Sequence, residues 1–377
     1  MACRTNQTRR KFLKSASLAA GTMLAAGCCS RRRPEMPLMN EPVIDVHVHM
    51  AANDAPGCTT SKAMRSKFTW LVRLGVYEDV TTRQLTEDFD GTVRRHLANV
   101  IGTAAHVDAA VVLAMDGVYS NGTLDADRTQ YMVSNRTVQQ YAREHTVNGV
   151  LFGASINPER GPEHALAELK RCTGELPWPG QTAPSGPPPA LVKWLPNSQE
   201  FDPAGRYETF FEALAERNIP LLCHTGKEHT VPTRKAWQKM GDPRRLTRAL
   251  EMGVTVIAAH CGARTTLLDW KHHYVGALAD MLVEAKERGW RLYADVSALS
   301  MVFRSSLSVR DVLRRIAEPH GDRLVLGSDY PLPPRSCRSI RNPLDRNYYW
   351  LLDRGFPPSI GPAGANILNP KALAWTP

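Results

Sequence analysis

Pro42-Val43-Ile44-Asp45-Val46-His47-Val48-His49-Met50 is the stretch from which the rest of the 377-residue chain can be read. It is a β-branched run of the kind found in buried strands, and it carries two histidines two residues apart. Alternate side chains of a strand leave on one face. The pattern therefore predicts that His47 and His49 point together, with Asp45 one step deeper on the same face. Two imidazoles on one rigid face make half of a divalent-cation site. The same pattern also describes a pair of satisfied core histidines, so the other donors must be sought along the chain.

Seven more short apolar runs follow, at 108–115, 150–156, 190–195, 219–224, 254–260, 291–296 and 323–328, with 43–48 as the first of eight. Many are continuously apolar, as expected of parallel strands buried on both faces. Amphipathic, helix-period stretches lie between them at 90–105, 127–145, 161–172, 206–217, 243–252, 275–288 and 309–319. Eight strand–helix alternations predict an α/β fold, a single-domain (β/α)8 TIM barrel. An open doubly wound sheet would favour a glycine-rich phosphate turn after the first strand, and the sequence has none there. Two regions interrupt the rhythm. Residues 51–88 are expected to form a cap or loop over the barrel mouth. The proline-rich 173–189 precede strand 4 and are expected as irregular structure at the barrel bottom.

The polar residues fall at the ends of the apolar runs. His47 and His49 end strand 1, Lys193 sits in strand 4, His224 ends strand 5, His260 ends strand 6 and Asp329 follows strand 8. Chemistry in such barrels occurs at the C-terminal ends of the strands. With this placement the chain resembles the amidohydrolase superfamily, in its amidohydrolase-related branch of barrel metallohydrolases and decarboxylases. The matching motifs are Asp45-x-His47-x-His49, His224-Thr225-Gly226, Ala259-His260-Cys261-Gly262 and Gly327-Ser328-Asp329-Tyr330-Pro331, spanning roughly residues 42–335.

The resemblance implies that His47, His49, His224 and Asp329 ligate a divalent metal, zinc above all, as one ion or two. Asp329 and His260 would be the catalytic residues. Asp329 would take a proton from the water that the metal activates, and His260 would polarise the substrate, hold the water or serve a second ion. Carboxylated, Lys193 would bridge two ions. As a free amine it would bind a substrate carboxylate, pair with an acid or turn aside. The function implied is metal-dependent hydrolysis of an amide, ester or lactone. Non-oxidative decarboxylation is the alternative, since decarboxylases of the aminocarboxymuconate-semialdehyde kind share the Asp-Tyr-Pro ending. A barrel that binds a solute without catalysis is a third reading. A small-molecule substrate, with a carboxylate among the options, is the partner expected.

Lesser candidates for the pocket are Asp116, Tyr119, Asn157, Asp295 and Ser297, each equally readable as a cap or loop residue. Lys227, Glu228, His229 and Arg264 could meet an anionic substrate. Cys223 and Cys261 read as packing. His272 and His273 read as exposed.

The N-terminal residues read as an address. Arg9-Arg10-Lys11-Phe12-Leu13-Lys14 precedes a short apolar run from Ala16 to Gly27, which is too short to span a membrane. This resembles a twin-arginine export signal, and Leu24-Ala25-Ala26-Gly27-Cys28 resembles a lipobox with Cys28 as the lipidated residue. The expected division is a signal at 1–28, a basic tether at 29–40 and the barrel at 41–377. Such a protein would reside in the periplasm or as a membrane-anchored lipoprotein, touching membrane only through signal or lipid. The net charge of +10 is mostly contributed by this segment, because residues 1–33 hold eight Lys and Arg and no acid. The near-neutral body gives no basic groove for nucleic acid. The eight cysteines form no CxxC or other close cluster in the body that would suggest a disulfide scaffold or a thiolate zinc site.

Overall fold

The computed structural model describes residues 39–73, 79–183, 186–335 and 340–375. The expected signal, the lipobox and most of the basic tether lie outside them.

Eight parallel strands run in chain order around one sheet: β1 Ile44–His49, β2 Ala109–Leu113, β3 Val150–Ser155, β4 Leu191–Trp194, β5 Leu221–His224, β6 Val256–Ala259, β7 Leu292–Asp295 and β8 Leu324–Val325. The segment after β8 closes the circle against β1. Val46 N donates to Leu326 O at 2.9 Å, Asp329 N to His47 O at 2.9 Å and His49 N to Tyr330 O at 2.7 Å. The fold is thus a single-domain (β/α)8 barrel, as the alternation of runs predicts.

Ile44, Val46, Leu113, Leu191, Leu222, Ile257 and Val325 form one buried cluster that draws on six of the strands and fills the barrel interior. Leu368 and Ala372 of the C-terminal segment join it. That segment sits at the N-terminal ends of the strands, because Asn369 N donates to Ala190 O just before β4. The alternate residues face outward to the helices. Trp194 of β4, for example, stacks on Phe210 at 5.9 Å between ring centres.

The helices that accompany the sheet include α1 Lys62–Arg73, α2 Phe89–Gly102, α3 Asn135–Glu144, α4 Pro162–Cys172, α5 Glu208–Glu216, α6 Val275–Arg288, α7 Ser306–Val312 and α8 Pro343–Asp353. The described part of 51–88 does cover the mouth, and α1 is the piece that lines the cavity there. Among the described residues of 173–189 there is no helix or strand, and Trp178 is buried there with its Nε1–H donating to Gln139 of α3. No helix among the described residues is long and apolar enough to cross a membrane.

Three expectations need correction. The helix expected over 127–145 occupies only its second half. Ser134 caps it by accepting Thr137 N, and Tyr131–Met132 ahead of it pairs antiparallel with Thr59–Thr60. A helix-period pattern cannot reveal a strand partner that lies some seventy residues away. Asp45 does not share the histidines' face by simple alternation. The register of β1 on β2 shifts between Asp45 and Val48, where β1 carries one extra residue. Asp45 Oδ1 instead accepts the N–H groups of His47 and Ser328, each at 3.0 Å, and so pins β1 to the closing segment. His273, finally, is half-buried, with Nε2 2.7 Å from Asp311 Oδ2 of α7.

Candidate metal centre

The C-terminal ends of the strands deliver their polar residues into one cavity, which His47, His49, Lys193, His224, His260 and Asp329 all line. Two of them are aimed by unusual backbone. His260 has φ 61° and Asp329 φ 62°, in the left-handed region that non-glycine residues rarely adopt. Each such conformation costs about 1–3 kcal/mol and persists where surrounding structure imposes it. Here the ladder to β1 holds Asp329, and the Asp295 carboxylate holds His260 by accepting its backbone N–H at 2.7 Å.

The donor atoms converge. His47 Nε2 lies 3.1 Å from His49 Nε2 and 3.3 Å from Asp329 Oδ1, which is itself 3.1 Å from His49 Nε2. Lys193 Nζ stands 3.1 Å from the same His47 nitrogen. His260 Nε2 is 3.0 Å from His224 Nδ1. His47, His260 and Asp329 each offer a ligand atom within 4.8 Å of the other two. His260, expected beside the metal, thus lies as close to the centre as the expected ligands do.

The residues fit a divalent cation. His47 Nε2, His49 Nε2 and Asp329 Oδ1 crowd within 3.3 Å of one another, and a shared cation is what brings two imidazole lone pairs and a carboxylate oxygen together in this way. Burial holds the imidazoles of His49 and His224 below their ordinary range and that of His260 down at about 3. They are therefore neutral lone-pair donors at pH 7, the form that binds metal. Burial pushes the Asp329 carboxyl up, but His47, His260 and His49 outweigh it and hold the group ionised, far below the usual carboxylate range. Three or four imidazoles with one carboxylate suit zinc chemistry.

The supporting contacts are equally specific. His47 Nδ1 donates to Asp295 Oδ2 at 2.7 Å, which leaves Nε2 free to ligate. Ser297 Oγ lies 2.8 Å from His260 Nδ1 and donates to Asp295. Asp295 and Ser297, lesser candidates in the sequence, therefore stand directly behind the donors. The other lesser candidates divide. Lys227, Glu228 and His229 line the cavity, whereas Arg264 does not. Asp116 lies outside it, gripped by the Arg160 fork at 2.7 and 2.8 Å, with the Tyr119 ring 4.6 Å from that guanidinium. Asn157 bonds the Gly117 and Gln199 carbonyls and caps a turn. Cys223 and Cys261 are buried, and burial pushes the Cys223 thiol up to about 12, so neither is a nucleophile.

Several cavity residues escaped the sequence reading. Met64, Lys67, Phe68 and Leu71 come from α1, and Met301 and Arg304 from the loop after β7. The apolar spacing of Met64, Phe68 and Leu71 marks a buried helix face, but nothing local says what it covers.

A family model described as amidohydrolase matches residues 44–339. No curated protein matches the sequence. Among solved structures, 4-oxalomesaconate hydratase from Rhodopseudomonas palustris is similar at 10% identity over 88% of this chain and 97% of that one, with a TM-score of 0.45. An amidohydrolase from Mycoplasma synoviae is similar at 13% identity over 88% and 87%, with a TM-score of 0.43. N-acetyl-D-glucosamine-6-phosphate deacetylase from Mycobacterium smegmatis is similar at 10% identity over 86% and 72%, with a TM-score of 0.42. Likenesses this distant carry no argument about chemistry.

Proposed function

The chain belongs to the amidohydrolase family, and from that membership and the geometry of the mouth we propose that it is a metal-dependent hydrolase that cleaves an amide, ester or lactone with water. The observation that carries the reading is the convergence of His47, His49, His224, His260 and Asp329 on one cavity at the strand ends. His47, His49, His224 and Asp329 would hold the ion, and zinc is the ion proposed. When bound, it supplies Lewis acidity, polarising the scissile carbonyl and lowering the pKa of water from ~16 toward ~7.

The chain's own groups do the rest. Asp329 is ionised and accepts the proton of the attacking water at its carboxylate, then passes it to the leaving group. His260 donates from Nδ1 to Ser297 Oγ, whose own proton goes to Asp295, and so presents the Nε2 lone pair toward the donors, where it holds the attacking water by accepting from it. Asp295 sets the His47 tautomer. Lys193 is buried with its amine beside His47 Nε2, where burial lowers its pKa, and we assign it the uncarboxylated amine form.

The test is a panel of esters, lactones and amides assayed with the metal-loaded enzyme, alongside a CO2-release assay on aromatic and dienoic acids. Hydrolysis that collapses in His47→Ala supports the reading. CO2 release without hydrolysis replaces it with a decarboxylase on the same site. Intact-mass spectrometry that finds a labile CO2 on Lys193 would overturn its free-amine form. Export by the twin-arginine route with lipid on Cys28 completes the proposal. It rests on the sequence of residues 1–28, and a mature envelope protein without lipid would refute the anchor.

A further inference from the structure

The cavity holds one cation that the proposed hydrolysis leaves unused. Arg304 is only 4% exposed. Its guanidinium donates from Nε to Ala298 O at 3.1 Å and from Nη1 to Ala263 O at 2.7 Å. Among the described residues no carboxylate pairs with it, and Nη2 has no hydrogen-bond partner there although it is not sealed from water. The residue lines the cavity, and Nη2 is the guanidinium nitrogen that no protein group there occupies. The acids that act on Arg304 across the cavity are committed elsewhere. Asp329 faces His47 and His49, Asp295 holds His47, and Glu228 accepts the N–H groups of Thr230 and Val231. The lysines of the mouth differ: Lys227 pairs with Asp269 at 2.6 Å, and Lys67, which also meets only carbonyls, those of His229 and Thr230, is half-buried so that water screens its charge.

A guanidinium withdrawn from water is costly unless an anion meets it. Two neutral carbonyls fix the plane of the fork without cancelling its charge. Such a planar, pre-oriented fork matches a carboxylate. Met64, Phe68 and Leu71 of α1, together with Met301 and Leu332, give the cavity its apolar lining. We propose that Arg304 is a specificity subsite for a substrate carboxylate, so that the substrate is an apolar-bodied carboxylic acid that also carries the scissile ester, amide or lactone. The scissile group rests on the hydrolase reading. The carboxylate subsite stands on the Arg304 geometry alone.

The experiment is isothermal titration calorimetry of the purified, metal-loaded full chain with benzoate, phenylacetate, 3-phenylpropionate and 4-phenylbutyrate, each against its carboxamide. At least one acid is expected to bind about 10–100-fold more tightly than its amide. Arg304→Met should remove that preference and leave amide binding unchanged, while Arg304→Lys should restore part of it. Should Arg304→Met fail to fold, the acid–amide comparison in the wild type and the Lys variant decide. The proposal is overturned if no acid binds, if acid and amide bind alike, or if Arg304→Met keeps the preference, which would place the acid on the metal. Binding is read without turnover. Arg304-dependent acid binding in a protein with no hydrolase activity would sink the hydrolase reading and leave the subsite. Hydrolysis with Arg304-independent binding would do the reverse.

Discussion

Asp295 shows at the scale of a single residue why the donors alone do not make the site. It accepts from His47 Nδ1, from the His260 backbone and from the Ser297 hydroxyl, so it orients two imidazoles at once. Asp295→Asn keeps the volume but loses the charged acceptor, and metal affinity is expected to fall about 10–100-fold with the fold retained. Metal titration followed by circular dichroism checks both halves of that expectation. Gly327 is a second case. A Cβ there would lie 3.0 Å from Ser297 Cβ and 3.1 Å from His47 Cβ. Gly327→Ala should cost about 1–3 kcal/mol in stability and lower activity by shifting His47, and thermal melts with assays would register the two effects together. His47, His49, His224, His260 and Asp329 were legible in the sequence because each lies at or just beyond the end of an apolar run. The strands place His47, His49 and His224, whereas left-handed backbone past the strand ends aims His260 and Asp329. Arg304 and Lys67 were not. Their positions come from how a loop and a cap helix fold back over the mouth, which no local pattern encodes.

At the scale of elements, the strands were readable and the covering pieces only partly so. The apolar runs located all eight strands within a few residues, since continuous burial leaves a continuous signature. The pairing of Thr59–Thr60 with Tyr131–Met132 joins segments far apart in sequence, and the extra residue in β1 is invisible until its partner strand is known. Helix α1 is the element that makes the cavity a cavity. It is held over the mouth by Lys67 on the His229 and Thr230 carbonyls and by Trp70, whose ring stacks on Phe303 at 6.0 Å. Trp70 is 44% exposed, so its removal leaves no sealed void. Trp70→Ala should therefore leave the melting temperature within a few degrees. An aromatic pair worth about 0.5–1.5 kcal/mol should show instead as locally faster amide exchange in α1. Unchanged exchange there would mean that Trp70 does not fasten the helix.

For the whole molecule, stability and chemistry occupy opposite ends of the barrel. The interior below the metal centre is apolar and closed by Leu368 and Ala372, whereas the mouth gathers buried imidazoles and carboxylates in backbone conformations that cost energy. Leu222→Ala in the interior should cost about 2–5 kcal/mol, read by denaturant unfolding, with the metal still bound in the folded fraction. Mouth substitutions such as Asp295→Asn should show the opposite profile. If the strand-end cluster is a metal site that drives the reaction, ion and turnover must depend on the same side chains. Metal content per chain in the wild type and in His47→Ala, measured by plasma mass spectrometry on the same samples as the hydrolysis panel, tests this most directly. About one divalent ion per wild-type chain is expected, with ion and turnover lost together in the variant. A His47→Ala protein that keeps both its ion and its full turnover would contradict the assignment.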